Sequence, residues 1–391
     1  MIFFSKPESL LFKKVPAYRL ATFRVVIAVV SIFCFIPQLN DLVHAYRLSA
    51  FHIPMIVGIP ASHPILNSGL ILIMWVAAWA LLFGIYPRSS AAILATVGLY
   101  IFLLDMKHYN HNLQFHIIIL SILAFTNDGV SLFDLCHAEK SDATCEAWCE
   151  LLILYQIAIV FFYAALEKIF SPFWGTSGIF FVFQQDHPLD WIRSFSPAFF
   201  KVFAGPISIF TIAFEFFIAT AFLLRLRHPL VLFCMFWFFV DLEILTRPGA
   251  FAWSLIASLI LFFPAADRIY GTAYHSNCNL CSKFQYWVLR FDWLRRIDWI
   301  PMNHSEIKCG TFINLNGKMY VGYEALKKIM KLFPGPIFIM VLLLRYGMVF
   351  VGLIQSEASI ILFELLMSFL LLLMFVPAVS DFSRKSVGQK I

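Results

Sequence analysis

Apolar runs near the length that crosses a bilayer, about 17 to 25 residues, fall at roughly 18–38, 68–86, 89–105, 111–127, 148–168, 203–224, 229–246, 249–265, 336–354 and 358–378. The pattern predicts eight membrane helices in one block and two more after a polar interval. Mixed connectors occupy 128–147 and 169–202, and the second holds an apolar piece, "GIFFVF", suited to an interfacial or re-entrant position. Between 266 and 335 charge density rises and the periodicity changes. "YHSNCNLCSKFQYWVLRFDWLRRIDWI" reads as a CxxC opening an amphipathic helix, with Phe284, Trp287, Val288 and Phe291 at helical spacing, then a strand near 297–301. "NLNGKMYVGYEALKKIMKLF" reads as a hairpin turning at Asn316 and Gly317, followed by a helix near 323–332. The expected fold class is an all-α polytopic membrane protein of about 8 + 2 transmembrane helices carrying a small α+β insert. Its three regions are a membrane block at 1–265, a CxxC module at 266–335, and two carboxyl-terminal transmembrane helices with a basic tail at 336–391.

Composition supports that division. Hydrophobic residues make up 61% of the chain and charged residues only 13%, where soluble domains carry about 25% charged residues. The formal charge of +6 is spread between apolar runs rather than gathered in a patch, which reads as a topology signal and not as nucleic-acid binding. With both termini on the cytoplasmic side of a cell membrane, Lys13, Lys14, Arg88, Lys140, Arg225, Arg227 and the basic residues of 268–331 lie inside. Arg47, Lys107, Arg193, Lys201 and Arg247 then lie in outer loops. The first 39 residues show a long polar lead and no small-residue cleavage site, so the first apolar run is expected to remain as a helix. Eight scattered cysteines, with only Cys278 and Cys281 closely spaced, do not suggest a disulfide-stapled secreted domain.

Ionisable residues inside membrane segments are costly and usually face the bundle interior, so each is a candidate site residue. They are Arg24, Asp105, His111, Glu167, Lys168, Glu215, Asp241, Glu243, Arg345 and Glu364. The expected topology places Asp105, His111, Glu167, Lys168, Asp241 and Glu243 toward the outer face, which suggests a shared polar site. A lysine in a poorly hydrated setting can serve as a neutral-amine base, and His111 can move a proton or bind a developing anion. The structural alternatives are a Lys168 that snorkels to the interface beside an anchoring Trp174, and a His111 that only hydrogen-bonds a helix start. Arg24 and Glu215 are expected to pair with opposite charges between helices. Cys145 and Cys149 read as helix surface rather than as ligands.

"AYRLATFRVVIA", "YPRSSAAILATVGLYIFLLD", "YNHNLQFHIIILSILAF", "YQIAIVFFYAALEKIFSPFWGTSG" and "RPGAFAWSLIASLILFF" together resemble the membrane domain of vitamin K-dependent gamma-carboxylase and its wider relatives, the HTTM family. The likeness covers roughly residues 15–265. It implies that Lys168 falls on the lysine held to deprotonate vitamin K hydroquinone, whose oxygenation yields the strong base that takes a proton from protein glutamate. It further matches Asn110 and His111 to the family's Asn-His pair, Arg24 to the arginine of its "FR", and Trp174 to its tryptophan after the lysine. Glu167 stands where the family has another lysine, and Asp241 and Glu243 lie near the place of a family histidine. A hydroquinone such as reduced vitamin K is the implied co-substrate.

The 270–335 module resembles a second family, the thioredoxin-like DCC thiol-disulfide oxidoreductases, through Tyr274, Cys278, Cys281 and the later "NLNGKMYVGYEALKKIMKLFPG". His275 replaces the motif aspartate. A thiolate at Cys278, resolved by Cys281, is the redox reading; Cys278, Cys281, His304 and Cys309 as a zinc set is the alternative. The expected function is carboxylase-like, quinone- or lipid-directed chemistry in a bilayer, on a lipophilic or peptide substrate. The rival is a non-catalytic scaffold, transporter-like or a partner in peptide maturation, with a structural zinc module.

Overall fold

The computed structural model describes residues 11–48, 55, 64–104, 111–126, 128–136, 143–175, 197–246, 249–263, 270–275, 283, 290, 292–295, 297–302, 312–315 and 318–321. A two-stranded antiparallel ribbon closes one end of the helical block. Strand β1 (Lys14–Pro16) pairs with β2 (Thr144–Glu146), Val15 lying opposite Cys145. Each strand leads directly into a helix, α1 (Tyr18–Val30) and a later one at Trp148–Phe170. The ribbon therefore fixes the amino-terminal ends of two long helices at the same level.

Helix α1 is apolar on every side, and such a helix belongs in an interior. All of its residues are buried. It continues through a π-helical turn, Ser31–Phe35, into α2 (Ile36–Leu48). A π-turn adds one residue to the helical repeat and shifts the faces beyond it; here it turns Ser31 and Phe35 toward the same neighbouring helix. Around α1 stand α3 (Pro64–Phe83), α4 (Pro87–Leu103), α5 (His111–Ala124), the short α6 (Leu132–Cys136), α7 (Trp148–Phe170), the single turn α8 (Pro172–Gly175), α9 (Pro197–Leu223), α10 (Pro229–Thr246) and α11 (Ala250–Ser258). A 3-10 turn, Leu259–Phe262, extends α11. The closest partners are α7 with α9, α4 with α5, and α3 with both α1 and α4. Aromatic rings fill the seams: Phe162 meets Phe216 edge-on at 5.6 Å, and Phe161 stacks on Phe239 at 5.7 Å.

The count of spanning helices corrects the expectation of eight plus two. Among the described residues, four helices are long and apolar enough to cross a membrane: Tyr18–Asp41, Ile65–Phe83, Trp148–Phe170 and Val202–Leu223. The runs expected at 89–105, 111–127, 229–246 and 249–265 give shorter apolar stretches, Pro87–Leu103, His111–Ala124, Leu230–Val240 and Ala250–Phe262. Hydropathy counts apolar residues without sensing where the backbone breaks. At 1.5 Å per residue the 14 residues of α5 reach only about 21 Å, less than the roughly 30 Å hydrocarbon core. These stretches are apolar partly because protein covers them, as α11 and its 3-10 extension show with all but one residue buried. The runs at 336–354 and 358–378 lie outside the described residues.

After the helical block comes a four-stranded sheet in the order β4, β3, β5, β6, formed by β3 (Tyr270–His275), β4 (Ile297–Met302), β5 (Phe312–Leu315) and β6 (Lys318–Val321). β3 and β4 run parallel, with Tyr270 opposite Ile297, while β5 is antiparallel to both β3 and β6. The expected strand near 297–301 is β4, and the expected hairpin is β5–β6. A parallel pair requires a crossover connection between its strands. The last part of that crossover meets the ribbon end of the helical block. Trp293 and Leu294 join its core, and Arg295 lies 5.4 Å from the Tyr18 ring and donates to the Asp134 carbonyl.

Close approach at one glycine gives a direct check of this packing. A Cβ on Gly98 would come within 2.8 Å of Phe35 Cζ and 3.4 Å of Ile117 Cγ1, and Phe35 is fully buried. Gly98→Ala is expected to destabilise the protein by about 1–3 kcal/mol in thermal unfolding in detergent, with part of the loss recovered by adding Phe35→Leu.

Candidate functional site

Two buried arginines hold the ribbon end. Arg19 Nε donates to Glu150 Oε1 at 2.8 Å, a second donor reaches Glu150 Oε2, and Nη1 reaches the Phe263 carbonyl at 3.2 Å. Arg24 Nε donates to Asp128 Oδ2 at 2.7 Å, and its remaining nitrogens take the carbonyls of Leu81 and Val130. The expectation that Arg24 pairs with a carboxylate between helices thus finds its partner in Asp128. Leu81 sits in the last turn of α3, where carbonyls lack helical partners, so Arg24 also closes that helix end. Cys145 and Cys149 are buried here, not on a helix surface. Burial pushes the Cys145 thiol up to about 12, with repulsion from Glu150 adding to it, which leaves it unreactive at neutral pH.

Lys168 lies toward the opposite end. It follows Glu150 along α7 by about 27 Å of helix at 1.5 Å per residue, and α9 runs antiparallel to α7, since Lys168 meets Glu215 while Arg225, just past the end of α9, lies near Glu150. Lys168 Nζ donates to Glu215 Oε1 at 2.8 Å, lies 3.5 Å from the Ala164 carbonyl, and sits 5.1 Å from the centre of the Trp174 ring. Side chains on a helix lean toward its amino terminus. Lys168 therefore leans back along α7 while Glu215 leans along antiparallel α9 to meet it. The ammonium group is turned inward, whereas a snorkelling lysine at this helix end would extend outward. Glu215 is buried, and its second oxygen, Oε2, has no hydrogen-bond partner among the described residues. Removing a carboxylate from water is costly unless both oxygens are engaged, so this oxygen is poised to accept a proton or a donor group.

A third polar centre occupies the middle of the block. His116 is fully buried, with Nε2 2.9 Å from Ser31 Oγ and Nδ1 2.8 Å from Ser254 Oγ. Phe35 lies against its ring at 4.5 Å. Ser31 Oγ also reaches the Ile27 carbonyl at 2.9 Å and Ser254 Oγ the Ala250 carbonyl at 2.6 Å. A neutral imidazole donates from one nitrogen only, so one serine must turn its proton from its carbonyl to the ring. The network ties α1, α5 and α11 together through polar contacts inside an apolar block. Asn67 on α3 is likewise fully buried, and both atoms of its amide lack partners among the described residues.

The sequence-predicted residues distribute unevenly over this arrangement. Lys168 and Trp174 meet each other, and Lys168 pairs with Glu215, which was not among the expected outer-face groups. His111 is exposed at the head of α5, and Glu167 is exposed beside Lys168. Glu243 is buried and accepts from the Gly249 backbone N–H at 3.1 Å, which caps α11. Gly249 has a φ of 60°, and a Cβ there would lie 2.2 Å from Gln38 Nε2, so the cap needs glycine. The side chain of Asp241 on α10 lies outside the described residues, as do Asp105, Asn110, Cys278, Cys281, His304 and Cys309. Among the described residues, no three His, Cys, Asp or Glu side chains are placed to hold a metal ion. His116, Asn67 and Asp128 escaped the sequence reading; the signal present was a histidine or asparagine inside an apolar run, and an aspartate at its edge. An open trough of about 510 Å³ between α3 and α4, lined by Leu72, Val76, Tyr86 and Ile93 among others, contains no charged side chain and lies apart from Lys168.

Residues 12–266, well over half of the chain, match the HTTM domain. The chain belongs to the HTTM family. No curated protein and no solved structure matches it. The HTTM region contains every polar centre described above, and strands β3 to β6 follow it. With its four spanning-length helices, this HTTM chain is a multi-pass membrane protein.

Proposed function

We propose that this HTTM protein is a membrane enzyme in which Lys168 acts as a general base on a lipophilic hydroxyl compound of the hydroquinone class. The observation that carries the reading is the Lys168–Glu215 pair: an amine and a carboxylate 2.8 Å apart on two spanning-length helices, with Glu215 Oε2 open. A proton passed from Nζ to Glu215 leaves a neutral amine. That amine can take the hydroxyl proton of a hydroquinone, which becomes the hydroquinone anion while Nζ regains its charge. Trp174 over the ammonium favours its charged form through the ring face. Asn110 and His111 are carried to the same chemistry by the family resemblance, as anion-stabilising and proton-transfer groups. The competing role for the pair is structural, an interhelical link in a scaffold without catalysis.

The two readings separate on reconstituted protein. With a reduced naphthoquinone and oxygen supplied, Lys168→Ala is expected to lower hydroquinone-dependent oxygen uptake by about a hundredfold or more, the scale of a lost acid–base group, at normal membrane abundance. Uptake equal to that of the unsubstituted protein rejects the base.

For the following module we propose thiol–disulfide exchange at Cys278 and Cys281. Support comes from the sequence, in which the CxxC follows β3, and from the parallel pairing of β3 with β4. Attack by the Cys278 thiolate on a substrate disulfide gives a mixed disulfide; Cys281 then displaces the second substrate thiol, and the module ends oxidised as the substrate is reduced. The excess of Lys and Arg near the ribbon end and in the module supports a cytoplasmic position for both. Purified protein is expected to form a Cys278–Cys281 disulfide on mild oxidation and to carry no zinc. One zinc per chain, lost in Cys309→Ser, supports the structural zinc module instead.

A further inference from the structure

The ribbon end contains a further positive charge, on Arg225, that the Arg19–Glu150 pair does not neutralise. Arg225 follows the end of α9 in a left-handed conformation, with a φ of 52°. Its backbone is fixed there by two consecutive bonds, Arg225 N–H to the Phe222 carbonyl at 3.2 Å and Leu226 N–H to the Ala221 carbonyl at 2.9 Å. The side chain is half-buried and lies within electrostatic reach of Arg19, Glu150 and Tyr155. Glu150 attracts Arg225 but makes no hydrogen bond to it among the described residues, and both of its oxygens are engaged by Arg19. The guanidinium of Arg225 makes no hydrogen bond or ion pair among the described residues. A partly desolvated cation beside a second cation is unfavourable without an anion. Burial, and then Arg19, accordingly lower the Arg225 pKa from its ordinary value.

The surroundings indicate what kind of anion fits. Arg225 stands just beyond Leu223, the end of a spanning-length helix, at the depth where lipid headgroups meet hydrocarbon. Leu152 and Tyr155 on α7 and Leu223 and Leu224 beside Arg225 are exposed, giving an apolar collar below a cationic head. A guanidinium presents a planar fork that matches two oxygens of a phosphate. We propose that Arg225, backed by Arg19, forms a phosphate-binding site between the ribbon-end termini of α7 and α9. Such a phosphate belongs to an anionic phospholipid or to a soluble phosphate compound, and the collar gives the lipid the additional contact.

The test uses the full chain in phosphatidylcholine nanodiscs with increasing phosphatidylglycerol, or with inorganic phosphate added, and follows the thermal unfolding midpoint. The unsubstituted protein is expected to be stabilised in at least one arm. Phosphatidylglycerol alone identifies a lipid headgroup, and a response to inorganic phosphate as well identifies a free-phosphate site. Arg225→Gln is expected to need about fivefold more anionic lipid for the same shift, the worth of one basic group at a membrane surface. Lys13→Gln, on the exposed ribbon, is expected to respond like the unsubstituted protein. Arg225→Lys, which keeps the charge and removes the fork, is expected to weaken the response in the same direction and decides the case in which Arg225→Gln does not fold. No stabilisation in either arm, an unaltered response in the Arg225 variants, or an equal loss in Lys13→Gln overturns the site.

Discussion

Burying a charged group in an apolar helical block is tolerable only when each of its polar atoms is met, and that constraint organises this protein around α1. The helix is buried along its whole length, yet it and the π-turn that continues it carry Arg19, Arg24 and Ser31. Arg19 binds α7 through Glu150, Arg24 binds the end of α3 and the segment before α6, and Ser31 binds α5 through His116. Each of these three residues therefore specifies a different neighbour. Leaving one partner of such a buried pair without the other costs about 3–5 kcal/mol, so these contacts select one arrangement among the many that apolar surfaces alone would permit.

Lys168 and Glu215 obey the same rule with a difference that bears on function. The arginine pairs are saturated by several acceptors, while among the described residues the lysine pair leaves Glu215 Oε2 open. Saturated pairs hold helices in place and have no capacity for a further proton. An unsaturated pair between α7 and α9, the two helices that pack most extensively on each other, combines a firm mounting with chemical capacity. The HTTM match covers this pair, and the sheet that follows is joined to the block through Trp293, Leu294 and Arg295.

The helical character and the strands near 297–301 and around Asn316 and Gly317 were legible in the sequence, because apolar periodicity and turn residues report local structure directly. The number of spanning helices was not. The runs at 111–127 and 249–265 are apolar because other helices cover them, and hydropathy does not distinguish cover by protein from cover by lipid. Lys168 was visible as a charge at an apolar boundary, but its direction depended on Glu215, which lies on a helix far along the chain. The same holds for Arg24 and Asp128. His116 was hidden for another reason: within "FHIIIL" it has no charged neighbour in sequence, and its two serines come from α1 and α11. The β1–β2 ribbon was equally hidden, since three-residue strands give no usable alternation.

The inward pairing of Lys168 with Glu215 is the claim on which the functional account rests. A double-mutant cycle tests it most directly: Lys168→Met, Glu215→Leu and the combined variant, compared by thermal unfolding of the full chain in detergent. The account predicts that either single change costs more than the double, with a coupling of about 1–3 kcal/mol. Additive effects, with Lys168→Met no more harmful alone than in the double variant, would contradict it and return Lys168 to the interface.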